Sequence, residues 1–177
     1  MGIIKDFFPE KLVVGVLISH LPLKDTLINL LKKSFGPTDY ESELLDFSFS
    51  SYYNTEMGTP VKRFFLSFKE LISPDSLASV KVQTNTVEQG LAERGKRRVN
   101  LDPGLLCRSR FILASTKDSS HRIPLGQGIY GEITLMYERG SFRAVEWTYP
   151  DYRSAAYLHI LNAVRNLYAA QCKPQQF

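Results

Sequence analysis

The chain has 177 residues, of which 44% are hydrophobic, and a formal net charge of +4 at pH 7. These values are typical of one folded domain with its own core, and they exclude disorder except at the extreme ends, such as the final "CKPQQF". The longest apolar run, "LVVGVLI" at 12–18, is too short to cross a bilayer, and no basic leader with a cleavage site precedes it. We therefore expect a single domain over 1–177 that is soluble, cytoplasmic and not bound to a membrane.

Cysteine and charge usage narrow the class further. Cys107 and Cys172 lie 65 residues apart without any C-x-x-C spacing, which predicts two reduced thiols. Three histidines without paired ligand spacing argue against zinc. Much of the positive charge lies in "ERGKRRVN" (93–100). Such a run is more often a solvated turn, and its second interpretation is a patch that faces phosphate or RNA.

The first half of the chain alternates predicted strands and helices. "KLVVGVLIS" (11–19) is typical of a central strand buried on both faces. Strands are also predicted at 43–53, from alternating apolar residues, and at 61–71. Between the first two, a helix ends at Gly36. Its apolar stripe consists of Leu23, Leu27, Leu30 and Leu31.

The stretch 73–95 supports two interpretations. Ser73 and Pro74 predict the start of a helix, and apolar residues at helical spacing continue to Leu91. However, "SVKVQT" alternates and carries β-branched residues. We therefore predict a strand over 79–84 and a second helix from Thr86 to Gly95.

The second half predicts more strands and a last helix. "RRVNLDPGLL" (97–106) and "RFILAST" (110–116) are strand-like, and an amphipathic helix is predicted over 152–170, capped by Asp151. A hairpin is predicted over 128–148. A two-residue loop at Arg139 and Gly140 would place Glu138 opposite Ser141, Leu135 opposite Ala144 and Glu132 opposite Trp147.

The order of these elements predicts the fold class. The first half reads β-α-β-β-α-β, which is the order of a ferredoxin-like unit. We predict an α+β fold with a largely antiparallel sheet, a ferredoxin-like N-terminal half, a C-terminal β-hairpin and a closing helix. Helices should cover one face of the sheet.

The sequence lacks the motifs that identify a reaction. There is no G-x-x-x-x-G-K-[ST] phosphate loop, no G-x-S-x-G, no H-E-x-x-H and no Rossmann glycine pattern. "TKD" (116–118) lacks both the spacer and the phosphate loop that accompany guanine recognition in GTPases. GTPase chemistry is therefore disfavoured, because its transition-state charge would have no preorganised partner.

Polar residues gather at the ends of three predicted strands. Taken singly, each fits an ordinary turn or cap. Together they could bind an anion or polarise a water if the strand ends converge. The groups are Asn100 with Asp102, the stretch Lys117, Asp118, His121 and Arg122, and Tyr149 with Asp151 and Arg153.

We assign roles within this cluster. Asp102, Asp118 and His121 are the predicted catalytic residues, with His121 as the acid–base group because imidazole titrates near neutral pH. Magnesium is the candidate cofactor, held by Asp102, Asp118 or Glu132, since this ion prefers a few carboxylates and water. The predicted ligand-binding residues are Asn100, Lys117, Arg122, Tyr130, Glu132 and Arg153; Lys117, Arg122 and Arg153 would bind an anion, and Tyr130 and Glu132 would form a wall.

Two functions compete, beside a purely structural role. The first is a small enzyme, or a binding protein, for a phosphorylated or nucleotide-like metabolite, because strand-end loops commonly carry sites. The second is an RNA-binding or protein-partner module that uses the basic segment 93–100 and exposed aromatics such as Tyr52 and Tyr53.

Several blocks of the sequence resemble one family. They are "YYNTEMG", "KRFFLSF", "GKRRVNLDPG", "ASTKDSSHRI", "GIYGEITLMY" and "EWTYPDYRS". Through them nearly the whole chain is similar to a family of bacterial proteins of about this length, known as a domain of unknown function. The resemblance implies one compact cytoplasmic domain, and some members carry an automatic GTP-binding label. It identifies no catalytic residues.

Overall fold

A computed structural model describes residues 2–172; of the predicted frayed end "CKPQQF" (172–177), residues 173–177 lie outside them. No helix within residues 2–172 has both the length and the hydropathy of a membrane span. The strands of this part are Glu10–Ile18 (β1), Thr38–Glu41 (β2), Leu45–Asp46 (β3), Lys62–Ile72 (β4), Val99–Leu106 (β5), Arg110–Ser115 (β6), Ile123–Gly126 (β7), Ile129–Glu138 (β8) and Ser141–Ala144 (β9). The α-helices are Lys24–Phe35 (α1), Asn54–Met57 (α2), Leu77–Gly90 (α3) and Ala155–Gln171 (α4).

The strands form one antiparallel sheet. Its order is β2-β4-β1-β5-β6-β8-β7, with β3 paired to β4 and β9 paired to β8. The part β2-β4-β1-β5, with α1 and α3 as its connecting helices, is the ferredoxin-like arrangement. The predicted α+β class, the ferredoxin-like first half, the hairpin and the closing helix are therefore confirmed.

Helices cover both faces of the sheet rather than the one predicted. Along β1, Leu12, Val14 and Val16 pack with α1 and α3, whereas Val13 packs with α4. This is why β1 is apolar without alternation: successive side chains point to opposite faces, and both faces are buried. The stripe of α4 needs its own partner, and the second face of the sheet supplies it.

Two predicted elements of the first half were wrong. The strand at 43–53 is reduced to Leu45–Asp46, because β2 takes the place beside β4. The segment after β3 leaves the sheet. The stretch 77–90 is one helix, not a strand followed by a helix from Thr86 to Gly95. Its β-branched residues are tolerated because Val80 and Thr84 lie on the buried face. The strand at 61–71 and the helix that ends at Gly36 are confirmed.

The hairpin has the predicted register only near its loop. Glu138 pairs with Ser141 and Leu135 with Ala144, as predicted. Pairing ends there, and Glu132 lies opposite Leu113 of β6 rather than Trp147. The Thr148 hydroxyl donates to the Thr134 carbonyl at 2.6 Å and holds the chain in a turn instead.

The predicted cap of the last helix was also wrong. Ser154, not Asp151, caps α4: its hydroxyl accepts a bond from the backbone N–H of Tyr157. Asp151 lies in a short 3-10 turn, and its carboxylate faces Arg63 on β4. A residue placed like a helix cap is therefore part of the buried charge arrangement described next.

Candidate functional site

A cavity of about 630 Å³ lies where β5 and β6 separate. The two strands pair only as far as Gly104 and Leu113, and beyond these residues they diverge. Helix α3 and the segments 47–53 and 149–152 enclose the space. Small-molecule sites usually measure about 300–1,000 Å³, so the cavity is large enough for a metabolite.

Side chains of α3 replace the missing strand partner of β5. Glu88 accepts a bond from the backbone N–H of Leu101 at 2.7 Å, and Lys81 donates to the Leu101 carbonyl at 2.7 Å. Both side chains are at least nine-tenths buried. Their spacing of seven residues places them on one helix face. Burial raises the pKa of Glu88, against the opposing effect of Lys81.

Arg63 forms a buried ion cluster at the floor of the cavity. Its guanidinium donates to Asp102 at 2.8 Å, to Asp151 at 3.1 Å and to the Tyr157 hydroxyl at 3.2 Å. Burial opposes the charge, but the two carboxylates hold the pKa of Arg63 well above its usual value. Four rings lie 5.5–5.8 Å from the guanidinium carbon; they belong to Phe47, Phe65, Tyr152 and Tyr157.

A chain of hydrogen bonds joins this cluster to Arg97. Asn100 donates to Asp102 and accepts from Arg97, both at 2.9 Å. Arg97 also makes two bonds of 2.7 Å to Glu56 and one of 3.3 Å to Glu88. This fixes Asn100 and Asp102 on the cavity wall.

The same contacts neutralise part of the basic segment 93–100. Arg97 is bound by two glutamates, and Arg98 pairs with Glu93. Within residues 2–172, Arg94 and Lys96 are the cations of this segment without a carboxylate in ion-pair distance. Two of the four cations of the run, Arg97 and Arg98, therefore have carboxylate partners within the described chain.

Glu132 is a second buried charged residue on the cavity wall, and its charge is opposite to that of Arg63. Its Oε2 contacts His121 Nε2 at 3.0 Å and accepts from Arg122 Nε at 2.7 Å. The side chain is only 1% exposed, yet its Oε1 has no hydrogen-bond partner in the described chain. A buried acceptor left unpaired costs roughly 1–3 kcal/mol. The hydroxyl of Tyr152, also on the wall, is likewise buried and unpaired.

The structure brings some of the predicted site residues together. Asn100, Asp102, Lys117 and Glu132 line the cavity. His121 and Arg122 lie behind Glu132 and hold it in place. Their proposed catalytic and binding roles remain predictions.

The other predicted residues are not part of the wall. Asp118 is exposed on its loop, and Tyr130 lies outside the lining. Arg153 donates to the carbonyls of Thr148 and Glu146 and so closes a turn. Within residues 2–172 no three His, Cys, Asp or Glu side chains are grouped to hold a metal, and magnesium held by Asp102, Asp118 or Glu132 stays a prediction.

Sequence reasoning missed several lining residues. Arg63 lies within the apolar run "VKRFFLSF", and Glu88 shares the buried face of α3 with apolar residues and Lys81. A charged residue within an apolar strand, or on the buried face of a helix, usually has a buried partner of opposite charge. This rule would have predicted buried ion pairs for Arg63 and Glu88. The aromatic residues Phe47, Phe49, Tyr52 and Tyr53 also line the cavity, although they were assigned to a strand or an exposed surface.

The fold and the cavity together define a class: an α+β protein whose ferredoxin-like half and added hairpin enclose a polar, aromatic site. The family described as "Domain of unknown function (DUF4416)" matches residues 8–168, and the chain belongs to it. The predicted family resemblance is thus confirmed, and that description assigns no activity. No curated protein and no solved structure matches the chain.

Proposed function

We propose that the protein binds a small nucleotide-like metabolite in the cavity between β5 and β6. The observation that carries the proposal is a cavity of about 630 Å³ whose wall combines aromatic rings with polar side chains. Sites for small molecules combine apolar and aromatic walls with fixed polar groups, and this wall has both, with a larger share of polar side chains than is usual. Here the ion pairs of Arg63, Arg97 and Glu132 fix those groups in advance.

The aromatic part of the wall suits a planar ring. Tyr52 and Tyr53 come from the segment before α2, and Tyr149 lies beyond the hairpin. Rings of this kind stack on flat ligands and contribute about 0.5–1.5 kcal/mol per pair beyond the burial of area. The amides of Asn85 and Gln89 on α3 are further lining groups that could contact the ring edge.

Lys117 is the group best suited to a phosphoryl group. It is exposed on the cavity wall, and its ammonium lies 4.8 Å from the centre of the Tyr52 ring. Among the lining cations of the described chain, it lacks a carboxylate within ion-pair distance. A ligand whose phosphoryl group is bound there would have its planar ring within reach of the tyrosines.

A ligand panel with two matched variants tests the proposal. Gln89 and Gln83 are both exposed on α3, but only Gln89 lines the cavity. Gln89→Trp should fill part of the space, and Gln83→Trp is the control. We expect at least one member of a panel of nucleosides, 5′-mono- and triphosphates and inorganic phosphate to raise the Tm of the wild type and of Gln83→Trp, but not of Gln89→Trp.

Other outcomes would argue against the cavity. If no panel member raises the Tm, or if Gln89→Trp responds like the wild type, the proposal is wrong. A single-stranded RNA belongs in the same series as a comparison. Affinity for RNA that falls steeply with salt and is unchanged in Gln89→Trp would favour the segment 93–100, where Arg94 and Lys96 remain, as the functional surface.

A further inference from the structure

The unpaired oxygen of Glu132 carries an inference about the ligand. Glu132 belongs to the cavity wall, whereas His121 and Arg122, which hold its Oε2, do not. Because both of these partners bind Oε2, Oε1 is the oxygen of this carboxylate that is left for a donor from a ligand. It is buried and has no partner in residues 2–172. A carboxylate oxygen accepts hydrogen bonds only, so the ligand must supply a donor.

The balance of charge on the wall limits the charge of the ligand. Four carboxylates and four cations line the cavity. Of the cations, Arg63, Lys81 and Arg97 already face carboxylates, which leaves Lys117. A ligand with several phosphates would meet as many acids as bases, and like charges in a confined site repel strongly. The carboxylates are Glu88, Asp102, Glu132 and Asp151.

We infer that the cavity recognises a neutral planar heterocycle, of the kind present in nucleobases and nucleosides, through an N–H donated to Glu132 Oε1. The inference rests on the proposed function and names its ligand class. Glu132 is then a specificity-determining residue, and His121 and Arg122 are positioning residues. Lys117 allows one phosphate at most, so a nucleoside or its monophosphate should bind more tightly than the triphosphate.

The substitution Glu132→Gln tests this assignment. Arg122 can only donate, so the new amide oxygen stays on Arg122 and the amide NH₂ replaces Oε1. The cavity would then present a donor to the ligand's N–H. We expect the Kd of the best-binding nucleoside to rise about tenfold or more, which is the loss of one hydrogen bond to a charged group. Glu138→Gln, on an exposed position of the same strand, should leave the Kd unchanged.

A second measurement avoids any change to the protein. N-methylation of the ligand removes the donor, so 3-methyluridine or 1-methylinosine should bind the wild type at least about tenfold more weakly than uridine or inosine. This comparison of ligands tests the hydrogen bond to Glu132 even if Glu132→Gln does not fold. Calorimetric titration of the wild-type chain gives both values.

The outcomes separate this inference from the proposed function. If no nucleoside or nucleotide binds, or if binding persists in Gln89→Trp, both are wrong. If a ligand binds in a way that Gln89→Trp abolishes, the cavity is its site. The inference alone then fails if N-methylation leaves the Kd unchanged, or if the triphosphate binds more tightly than the nucleoside.

Discussion

Arg63 and Glu132 are buried charges on the same cavity wall, and they differ in how far the protein satisfies them. Arg63 bonds to two carboxylates and a hydroxyl, all supplied by the chain. Glu132 has both of its partners, His121 and Arg122, on one oxygen and none on the other. A buried charged group whose hydrogen bonds are all made within the chain stabilises one packing of that chain. A buried charged group with an unpaired acceptor atom leaves a position for a donor from a ligand. The first cluster therefore stabilises the fold, and the second is the one that the proposed ligand would complete.

The largest effect should come from breaking the Arg63 cluster. Arg63→Met would leave Asp102 and Asp151 without their cation in a buried setting. Removal of one partner from a buried ion pair costs about 3–5 kcal/mol, so the free energy of unfolding should fall by that amount. Urea unfolding followed by circular dichroism measures it.

The neighbouring Lys62 provides the control. It pairs with Asp46, whose side chain is 82% exposed, and an exposed pair contributes only about 0–1 kcal/mol. Lys62→Met should therefore lower the free energy of unfolding by less than about 1 kcal/mol. Equal losses in the two variants would show that Arg63 is not a structural centre.

The fold was more accessible from the sequence than the site was. The helix that ends at Gly36 and the apolar strands β1 and β4 follow from local pattern, because burial on two faces or on one stripe leaves a periodic trace. The segment 43–53 also alternates, yet only Leu45–Asp46 pairs. Its alternating residues Phe47 and Phe49 face the cavity, and Phe47 makes aromatic contacts there. The local sequence does not distinguish this pattern from that of a strand in a sheet.

Some of the polar residues that the sequence grouped do lie together, but their arrangement around the cavity was not predicted. Strand-end polar residues such as Asp102 and Lys117 do meet at the cavity. The sequence could not show that β5 before Gly104 separates from β6 after Leu113, so the part of α3 that closes the gap was missed. The sequence also did not show that Glu132 lines the cavity while His121 contacts Glu132 from outside the lining. Such choices depend on side-chain direction across strands, which tertiary packing decides.

A smaller effect should separate two tyrosines beside Arg63. Tyr157 and Tyr152 are equally buried, but only the Tyr157 hydroxyl makes a hydrogen bond. Tyr157→Phe leaves Arg63 Nε without an acceptor and should lower the free energy of unfolding by about 1–3 kcal/mol. Tyr152→Phe removes an unpaired hydroxyl, so that free energy should stay the same or rise by up to about 1 kcal/mol. Urea midpoints at constant slope measure both, and destabilisation by Tyr152→Phe would mean that its hydroxyl has a partner.

The smallest effects concern the two glutamates that share Arg97. Here the difference between the two charges should show in how the free energy of unfolding depends on pH. Burial raises the pKa of Glu88 above its usual 4.5, whereas hydrogen bonds from Arg97 lower the pKa of Glu56. Between pH 4.5 and the folded pKa of Glu88, the folded state binds more protons than the unfolded state. The free energy of unfolding should therefore fall as the pH rises through that window. For Glu56, whose folded pKa lies below 4.5, the unfolded state binds more protons than the folded state in the range of pH between these two values. The free energy of unfolding should therefore fall as the pH falls through the folded pKa of Glu56.

Glutamine substitutions should remove each contribution separately. Glu88→Gln keeps an oxygen for the Leu101 N–H, and it should reduce the decline in the free energy of unfolding above pH 4.5. Glu56→Gln should leave that region unchanged and reduce the loss of stability in acid, because the paired carboxylate no longer has to be protonated. Urea unfolding at a series of pH values on both sides of 4.5 gives the two slopes. Both carboxylates face the Arg97 guanidinium, and Glu88 has Lys81 and the Leu101 N–H as further partners that oppose the rise of its pKa. If both variants changed the slope in the same direction, burial would therefore not outweigh these partners at Glu88, and the predicted difference between the two glutamates would be wrong.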